Sequence, residues 1–192
     1  MEKRPISAQQ LQEDSWALAV NILKGDFRPT FIIGIWRGGC PVGMSVHEML
    51  DYFGVKADHI AIRTRSYTGI DQRMGQVEIS GLSYVIEHCT AADRLLICDD
   101  VWDTGLSIEA VLKEIRSRCR DNTPCDIRVA VPYFKSGKNK TESVPDYFIH
   151  ETDEWLMFPH EMNGYTKREI LENKPGLKEL LERMGSTNLF EE

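Results

Sequence analysis

Three short apolar runs set the frame of this chain: Phe31–Trp36, residues 95–97 and residues 127–134. Each is dominated by aliphatic and aromatic residues and bounded by polar residues or glycine. Runs of this kind predict strands of a parallel sheet that is buried on both faces. Between them the apolar spacing changes to that of helices. Residues 7–23 predict a helix capped by Ser7, with Leu11, Trp16, Ala19, Val20 and Leu23 on the apolar face and Gly25 as its stop. Val42, Val46, Met49, Leu50 and Phe53 predict a second helix ending at Gly54, and Ile108, Val111, Leu112, Ile115 and Cys119 a third, closed by residues 121–124. Residues 59–65 alternate as a strand does, and residues 77–79 read as its returning partner. Residues 82–89 read as a helix, 146–150 as a short strand and 175–184 as a last amphipathic helix, followed by a loosely held polar tail from 186 to 192. Strands alternating with helices predict an α/β fold.

Composition narrows the class. A chain of 192 residues favours one domain, and 42% hydrophobic with 28% charged residues is an ordinary soluble profile. The formal net charge of -7 argues against nucleic acid as a partner. Five cysteines without a C-x-x-C pair or zinc spacing read as reduced thiols. No apolar signal region follows the charged residues 1–5, and no run reaches transmembrane length, so a cytoplasmic protein with no membrane partner is expected.

The chemistry concentrates in residues 94–107. The run at 95–97 ends in two carboxylates, Asp99 and Asp100; Asp103, Thr104, Gly105, Leu106 and Ser107 follow, just before a helix. Ligands of open α/β sheets bind beyond the carboxyl ends of the strands. A hydroxyl, a glycine and a second hydroxyl at a helix start present N–H groups to an anion. The carboxylates would repel a phosphate, so they must serve another part of the ligand, and vicinal ribose hydroxyls can donate to them. The implied ligand is a ribose 5-phosphate unit. Arg37, Gly38 and Gly39 end another strand, where paired glycines admit a close approach and Arg37 offers a cation to phosphate oxygens. By itself that triplet marks only a tight turn. The polar stretch 66–75 reads as a mobile lid rather than a plain hairpin.

The run Leu95, Leu96, Ile97, Cys98, Asp99, Asp100, Val101, Trp102, Asp103, Thr104, Gly105, Leu106, Ser107 resembles the PRPP-binding motif of the type I phosphoribosyltransferases: aliphatics, two acids, two apolar residues, then Asp-Thr-Gly-x-Ser/Thr. It departs at Leu106, where the family often has a small or basic residue. Arg37 and Gly38 resemble the pyrophosphate loop of the purine members. Ser66 and Tyr67 match the Ser-Tyr pair of their flexible loop. Lys135 matches a strand-end lysine that bonds a 6-oxopurine oxygen, with Lys138 and Lys140 as neighbouring alternatives. Trp155, Leu156 and Glu161 resemble the purine hood: a stacking aromatic, a main-chain contact to the base edge, and an acid. Lys167 or Arg168 would face pyrophosphate.

The resemblance covers about residues 31–168 and implies a type I phosphoribosyltransferase fold, α/β with a mostly parallel central sheet flanked by helices and a small hood. It implies one domain over 1–192, with a core at about 24–150, a hood at about 151–170 plus terminal segments, and a lid at about 66–80. The implied reaction, in purine salvage, transfers 5-phosphoribosyl from PRPP to hypoxanthine, guanine or xanthine, giving the nucleoside monophosphate and pyrophosphate. In it Asp103 is the general base. Asp99 and Asp100 hold the ribose hydroxyls, and with Glu161 they are the implied ligands of the cofactor Mg²⁺. Thr104, Gly105, Leu106 and Ser107 hold the 5-phosphate. A homodimer or homotetramer is implied as well. The alternatives are a regulatory protein that senses PRPP or a purine without turnover, a transferase for another base, and a nucleotide-binding interaction domain.

Overall fold

A computed structural model of the chain describes residues 3–66, 77–174 and 176–186. In chain order the elements are β1 (Lys3–Pro5), α1 (Ala8–Lys24), β2 (Phe31–Trp36), α2 (Gly39–Tyr52), β3 (Asp58–Ser66), β4 (Val77–Ser80), α3 (Ser83–His88), β5 (Arg94–Cys98), β6 (Val101–Trp102), α4 (Leu106–Cys119), β7 (Asp126–Phe134), β8 (Tyr147–Glu151), β9 (Trp155–Met157), α5 (Lys167–Asn173) and α6 (Leu177–Arg183). They form two compact units, Gln9–Glu154 and Met1–Ala8 with Trp155–Glu192. Among the described residues no helix is long and apolar enough to cross a membrane.

The larger unit is built on a seven-stranded sheet in the order β4-β3-β2-β5-β7, with β6 and β8 both paired to β7. All pairs are parallel except the antiparallel β3–β4. The returning strand after the polar stretch is therefore present as β4. Strands β5 and β6 share one register against β7: Arg94 pairs with Asp126 and Val101 with Tyr133, 32 positions apart in both cases. Asp99 and Asp100 interrupt what is otherwise one strand. The core under one face gathers Ile33, Ile35, Leu95, Ile97, Val129 and Val131 against Val85, Ile108, Val111 and Ile115 of the helices. Purely apolar strands pair this way because helices cover both faces of a parallel sheet.

Helix α1 turns a different face inward from the one the sequence spacing predicts. Leu11, Asp14, Ser15, Leu18, Ala19 and Ile22 are buried, while Trp16 stays 45% exposed. Two polar residues are tolerated inside because both are satisfied. The Ser15 hydroxyl donates to the Leu11 carbonyl at 2.6 Å; Asp14 accepts from the Tyr133 hydroxyl at 3.1 Å and pairs with His150 Nε2 at 2.8 Å. Likewise Phe53, expected on the inner face of α2, is exposed beyond the helix end.

The smaller unit pairs β1 with β9 in parallel, Lys3 opposite Trp155 and Pro5 opposite Met157. Helix α5 was not expected from apolar spacing. Its start is fixed by a capping box in which the Thr166 hydroxyl accepts from the Glu169 N–H and the Glu169 carboxylate accepts from the Thr166 N–H. Helix α6 is the last amphipathic helix.

Candidate active site

The glycine-bearing end of β2 meets the acid-bearing end of β5. Gly38 and Gly39 follow β2, and both are buried. A Cβ on Gly38 would overlap the Asp100 carboxylate, and one on Gly39 would overlap the Cys98 carbonyl and lie 3.0 Å from Asp99 Cα. The pair is needed so that the Arg37 corner can lie directly against the acid pair. Arg37 itself is exposed, and its carbonyl accepts from the Cys40 N–H at 3.1 Å as α2 begins.

The acid pair is held by main chain. Asp99 N–H donates to Ala130 O at 3.3 Å, continuing the β5–β7 ladder, and Asp100 N–H donates to Asp99 Oδ1 at 3.0 Å. Burial, and next the charge of Asp100, push the Asp99 carboxyl well above the usual carboxylate range. Two adjacent carboxyls, Asp99 half-buried and Asp100 buried, favour a ligand that brings donors or positive charge. Burial also pushes the Cys98 and Cys40 thiols up, with Asp99 adding to both, so these neighbouring thiols are held protonated and are poor nucleophiles.

Beyond β6 the chain enters a cleft of about 80 Å³ walled by Asp99, Trp102, Asp103, Thr104, Gly105 and Ser107. Gly105 has φ of 77° and caps the start of α4, so the backbone turns left-handed immediately before the helix. Thr104 and Ser107 are half-buried, and the Leu106 side chain is 39% exposed. A larger groove of about 480 Å³ runs along β2, β3 and α2 past Ile32, Trp36, Met44, His47 and His59, and contains none of the acid-pair or cradle residues.

Lys135, at the end of β7, is 6% exposed and its Nζ donates to Asp103 Oδ2 at 3.1 Å. Its N–H donates to Trp102 O at 2.9 Å, which locks the strand end beside the cleft. Lys138 is half-buried in the following 3-10 turn, and Lys140 is exposed. Of the three lysines, Lys135 is therefore the one placed next to Asp103.

In the smaller unit Trp155 is 49% exposed and Leu156 is buried. The Tyr165 hydroxyl lies 3.2 Å from Leu156 O and 3.3 Å from Glu161 Oε2, and Glu161 Oε2 also accepts from Phe158 N–H at 3.3 Å. Lys167 and Arg168 open α5, both exposed, and Arg168 Nε pairs with Glu172 at 3.3 Å. Ser66 ends β3; the lid assignment to Tyr67 and residues up to 76 lies outside the described residues.

A family model, the phosphoribosyl transferase domain, matches residues 7–163. The chain belongs to the phosphoribosyltransferase family. It is a type I phosphoribosyltransferase resembling those for 6-oxopurines. A purine phosphoribosyltransferase from Pyrococcus horikoshii is 25% identical, with a TM-score of 0.67 over 86% of this chain and 98% of that one. The xanthine-guanine-hypoxanthine phosphoribosyltransferase of Helicobacter pylori is 20% identical (TM-score 0.65, 82% and 92% covered). A hypoxanthine phosphoribosyltransferase from Trypanosoma cruzi is 18% identical (TM-score 0.61, 75% and 74% covered). No curated protein matches the sequence.

Sequence reasoning missed two polar clusters. One is Asp14, Tyr133 and His150. The other surrounds Asn139, whose Oδ1 accepts from Trp102 Nε1 at 3.1 Å and from the Thr141 hydroxyl at 2.9 Å. Neither carries a local signal, because each depends on a partner far along the chain: Trp102 is 37 positions from Asn139, and Tyr133 and His150 are 119 and 136 positions from Asp14. The capping box at Thr166 and Glu169 did carry one, a hydroxyl residue followed three positions later by Glu.

Proposed function

We propose that this phosphoribosyltransferase moves a 5-phosphoribosyl group from PRPP to a 6-oxopurine, hypoxanthine, guanine or xanthine, as in purine salvage. The observation that carries this reading is the acid pair lying against the Arg37 corner and running directly into the cleft at the start of α4. Thr104, Gly105, Leu106 and Ser107 would hold the 5-phosphate with N–H and hydroxyl donors. Asp99 and Asp100 would accept from the ribose hydroxyls, which relieves the repulsion within the pair. Arg37 and Gly38, with Lys167 or Arg168, are assigned to pyrophosphate.

In the reaction the bond from ribose C1 to the pyrophosphate oxygen breaks, and a bond from C1 to a purine ring nitrogen forms. The acid pair lends negative charge near C1 as it becomes cationic. Asp103 takes up the proton that the purine loses. An ammonium has three donors; one of those on Lys135 meets Asp103, and another is assigned to the 6-oxo group. Trp155 is assigned to stack on the base, and the Leu156 main chain to its edge.

The acid pair fits Mg²⁺. Among the described residues no third His, Cys, Asp or Glu joins it, and Mg²⁺ characteristically takes one or two carboxylates together with water and substrate oxygens. Asp99 and Asp100 would hold it. When bound, Mg²⁺ neutralises the diphosphate.

The test is a panel of bases with PRPP and Mg²⁺, scored for nucleoside monophosphate. Turnover of at least one 6-oxopurine and almost none of adenine is expected, because a donor at Lys135 rewards an acceptor oxygen and leaves an amino group unpaired. Lys135→Met should impair oxopurine use far more than PRPP binding. PRPP binding without any nucleotide formed would favour the regulatory reading; preference for adenine or a pyrimidine would overturn the base assignment.

A further inference from the structure

Behind Gly105, which lines the cleft, lies a cluster formed by the Trp102 indole and side chains of the loop after β7. Three of its polar atoms, Trp102 Nε1, Thr141 Oγ1 and Asn139 Oδ1, lie 2.6, 2.7 and 2.9 Å from where a Cβ on Gly105 would stand. They lie directly behind the left-handed glycine. Asn139 is the hub. Its Oδ1 accepts from Trp102 Nε1 at 3.1 Å, from Thr141 N–H at 3.2 Å and from the Thr141 hydroxyl at 2.9 Å, while its Nδ2 donates to Ser143 O at 2.8 Å. The amide can face only one way, because an indole N–H and a backbone N–H donate and never accept. The next residue completes the tie: Lys140 N–H donates to Thr104 O at 3.0 Å. On the other side, Lys138 and Asn139 N–H both donate to Lys135 O at 3.1 Å.

We propose that Asn139 is a positioning residue for the phosphate cradle, holding Thr104 and Gly105 in the conformation that aims their N–H groups into the cleft. The proposal rests on the assignment of that cleft to the 5-phosphate of PRPP. Nothing about Asn139 requires it to touch substrate. It anchors the loop whose backbone bonds Thr104, and it leaves no room for a side chain at position 105. It also lies four positions beyond Lys135, so the residue assigned to the base and the loop assigned to the phosphate are held by one short segment. Anion recognition by backbone N–H groups depends on their direction, so loss of the hub should weaken phosphate binding without touching the base contacts.

The experiment compares the full-length wild type with Asn139→Ala and Thr141→Val. PRPP affinity in Mg²⁺ is measured by calorimetry, KM by steady-state kinetics for the base that the wild type uses, and the Trp102 indole N–H by ¹⁵N NMR. For Asn139→Ala we expect PRPP affinity to fall about tenfold, the scale of one well-placed hydrogen bond, while KM for the base stays within about twofold. The Trp102 indole signal should shift as its acceptor is lost. Thr141→Val removes one donor from the hub, and about a threefold loss in the same direction is expected; it carries the test if the alanine variant does not fold. Unchanged PRPP affinity overturns the proposal. So does a joint loss of PRPP and base affinity with a lowered Tm, which is what a merely structural loop residue gives. A wild type that does not bind PRPP overturns the functional reading and this proposal together; a wild type that binds it equally with the variants overturns this proposal alone.

Discussion

Asp99, Asp103, Lys135 and Gly38 leave the ends of strands in the seven-stranded sheet, whereas Trp155, Leu156, Glu161 and Lys167 rest on a two-stranded sheet and a seven-residue helix. In the larger unit the site residues are set by backbone: the ladder running from β5 into Asp99, the Lys135 N–H on Trp102 O, and glycines that let main chains touch. In the smaller unit only Trp155 and Leu156 have a backbone ladder, three residue pairs long, and the rest leans on side chains. Lys3 pairs with Glu169 at 2.7 Å, Lys174 Nζ donates to the Phe158 and Pro159 carbonyls, and Tyr165 bridges toward Leu156 and Glu161. Helices α5 and α6 are far shorter than an isolated helix needs to persist in water, so such ties carry much of their order. Groups hung from a buried sheet are preorganised. Groups hung from half-buried ion pairs such as Lys3 with Glu169 answer to pH and salt.

The contrast is sharpest where chemistry is assigned to a strand-hung group. Asp103→Asn keeps size and polarity but cannot accept a proton near neutral pH. Turnover should fall on the order of a hundredfold or more, with PRPP binding less affected. Unchanged turnover would reduce Asp103 to a structural partner of Lys135. Gly39→Ala tests the backbone itself. Its Cβ would have to displace main chain at Cys98 and Asp99, so a loss of about 2 kcal/mol in urea unfolding is expected, together with lost activity. A variant with an unchanged midpoint would show that the two strand ends are not tightly apposed.

The smallest effect belongs to the other unit. The Lys3 ammonium, and next the Thr166 N–H and hydroxyl, hold the Glu169 carboxyl down at about 2, against an ordinary 4.5. A depressed carboxyl contributes stability that is present above its unfolded pKa and lost as pH falls through the folded value. Protection of the α5 amides from hydrogen exchange, corrected for intrinsic rate, should therefore decline between pH 4.5 and about 2. In Glu169→Gln that dependence should vanish. Flat protection in the wild type across this window would break the comparison.

The same division governs what could be read from the chain. Phe31–Trp36 and the run before Asp99 are contiguous and purely apolar, so their strands were legible, and the acid pair with its hydroxyl-glycine loop was legible beside them. The inner face of α1 was not, because Asp14 enters the interior only through Tyr133 and His150, partners 119 and 136 positions away. For the same reason the contact between Lys135 and Asp103 was invisible in sequence, although each was singled out separately. Helix α5 has a single buried residue, Ile170, and so no apolar period to detect.

The parallel pairing of β1 with β9 has a consequence for how the molecule is made. Lys3 meets Trp155, 152 positions later, so this ladder cannot close until most of the chain has been synthesised. By then every strand of the seven-stranded sheet has been available for pairing. Closing so long a loop is entropically costly and slow, and the gain is three residue pairs. Assembly should thus be sequential during translation: the sheet condenses first, and Lys3–Pro5 stays an unpaired strand until its partner emerges. Pulse labelling during refolding should find the β9 amides protected after those of β5 and β7.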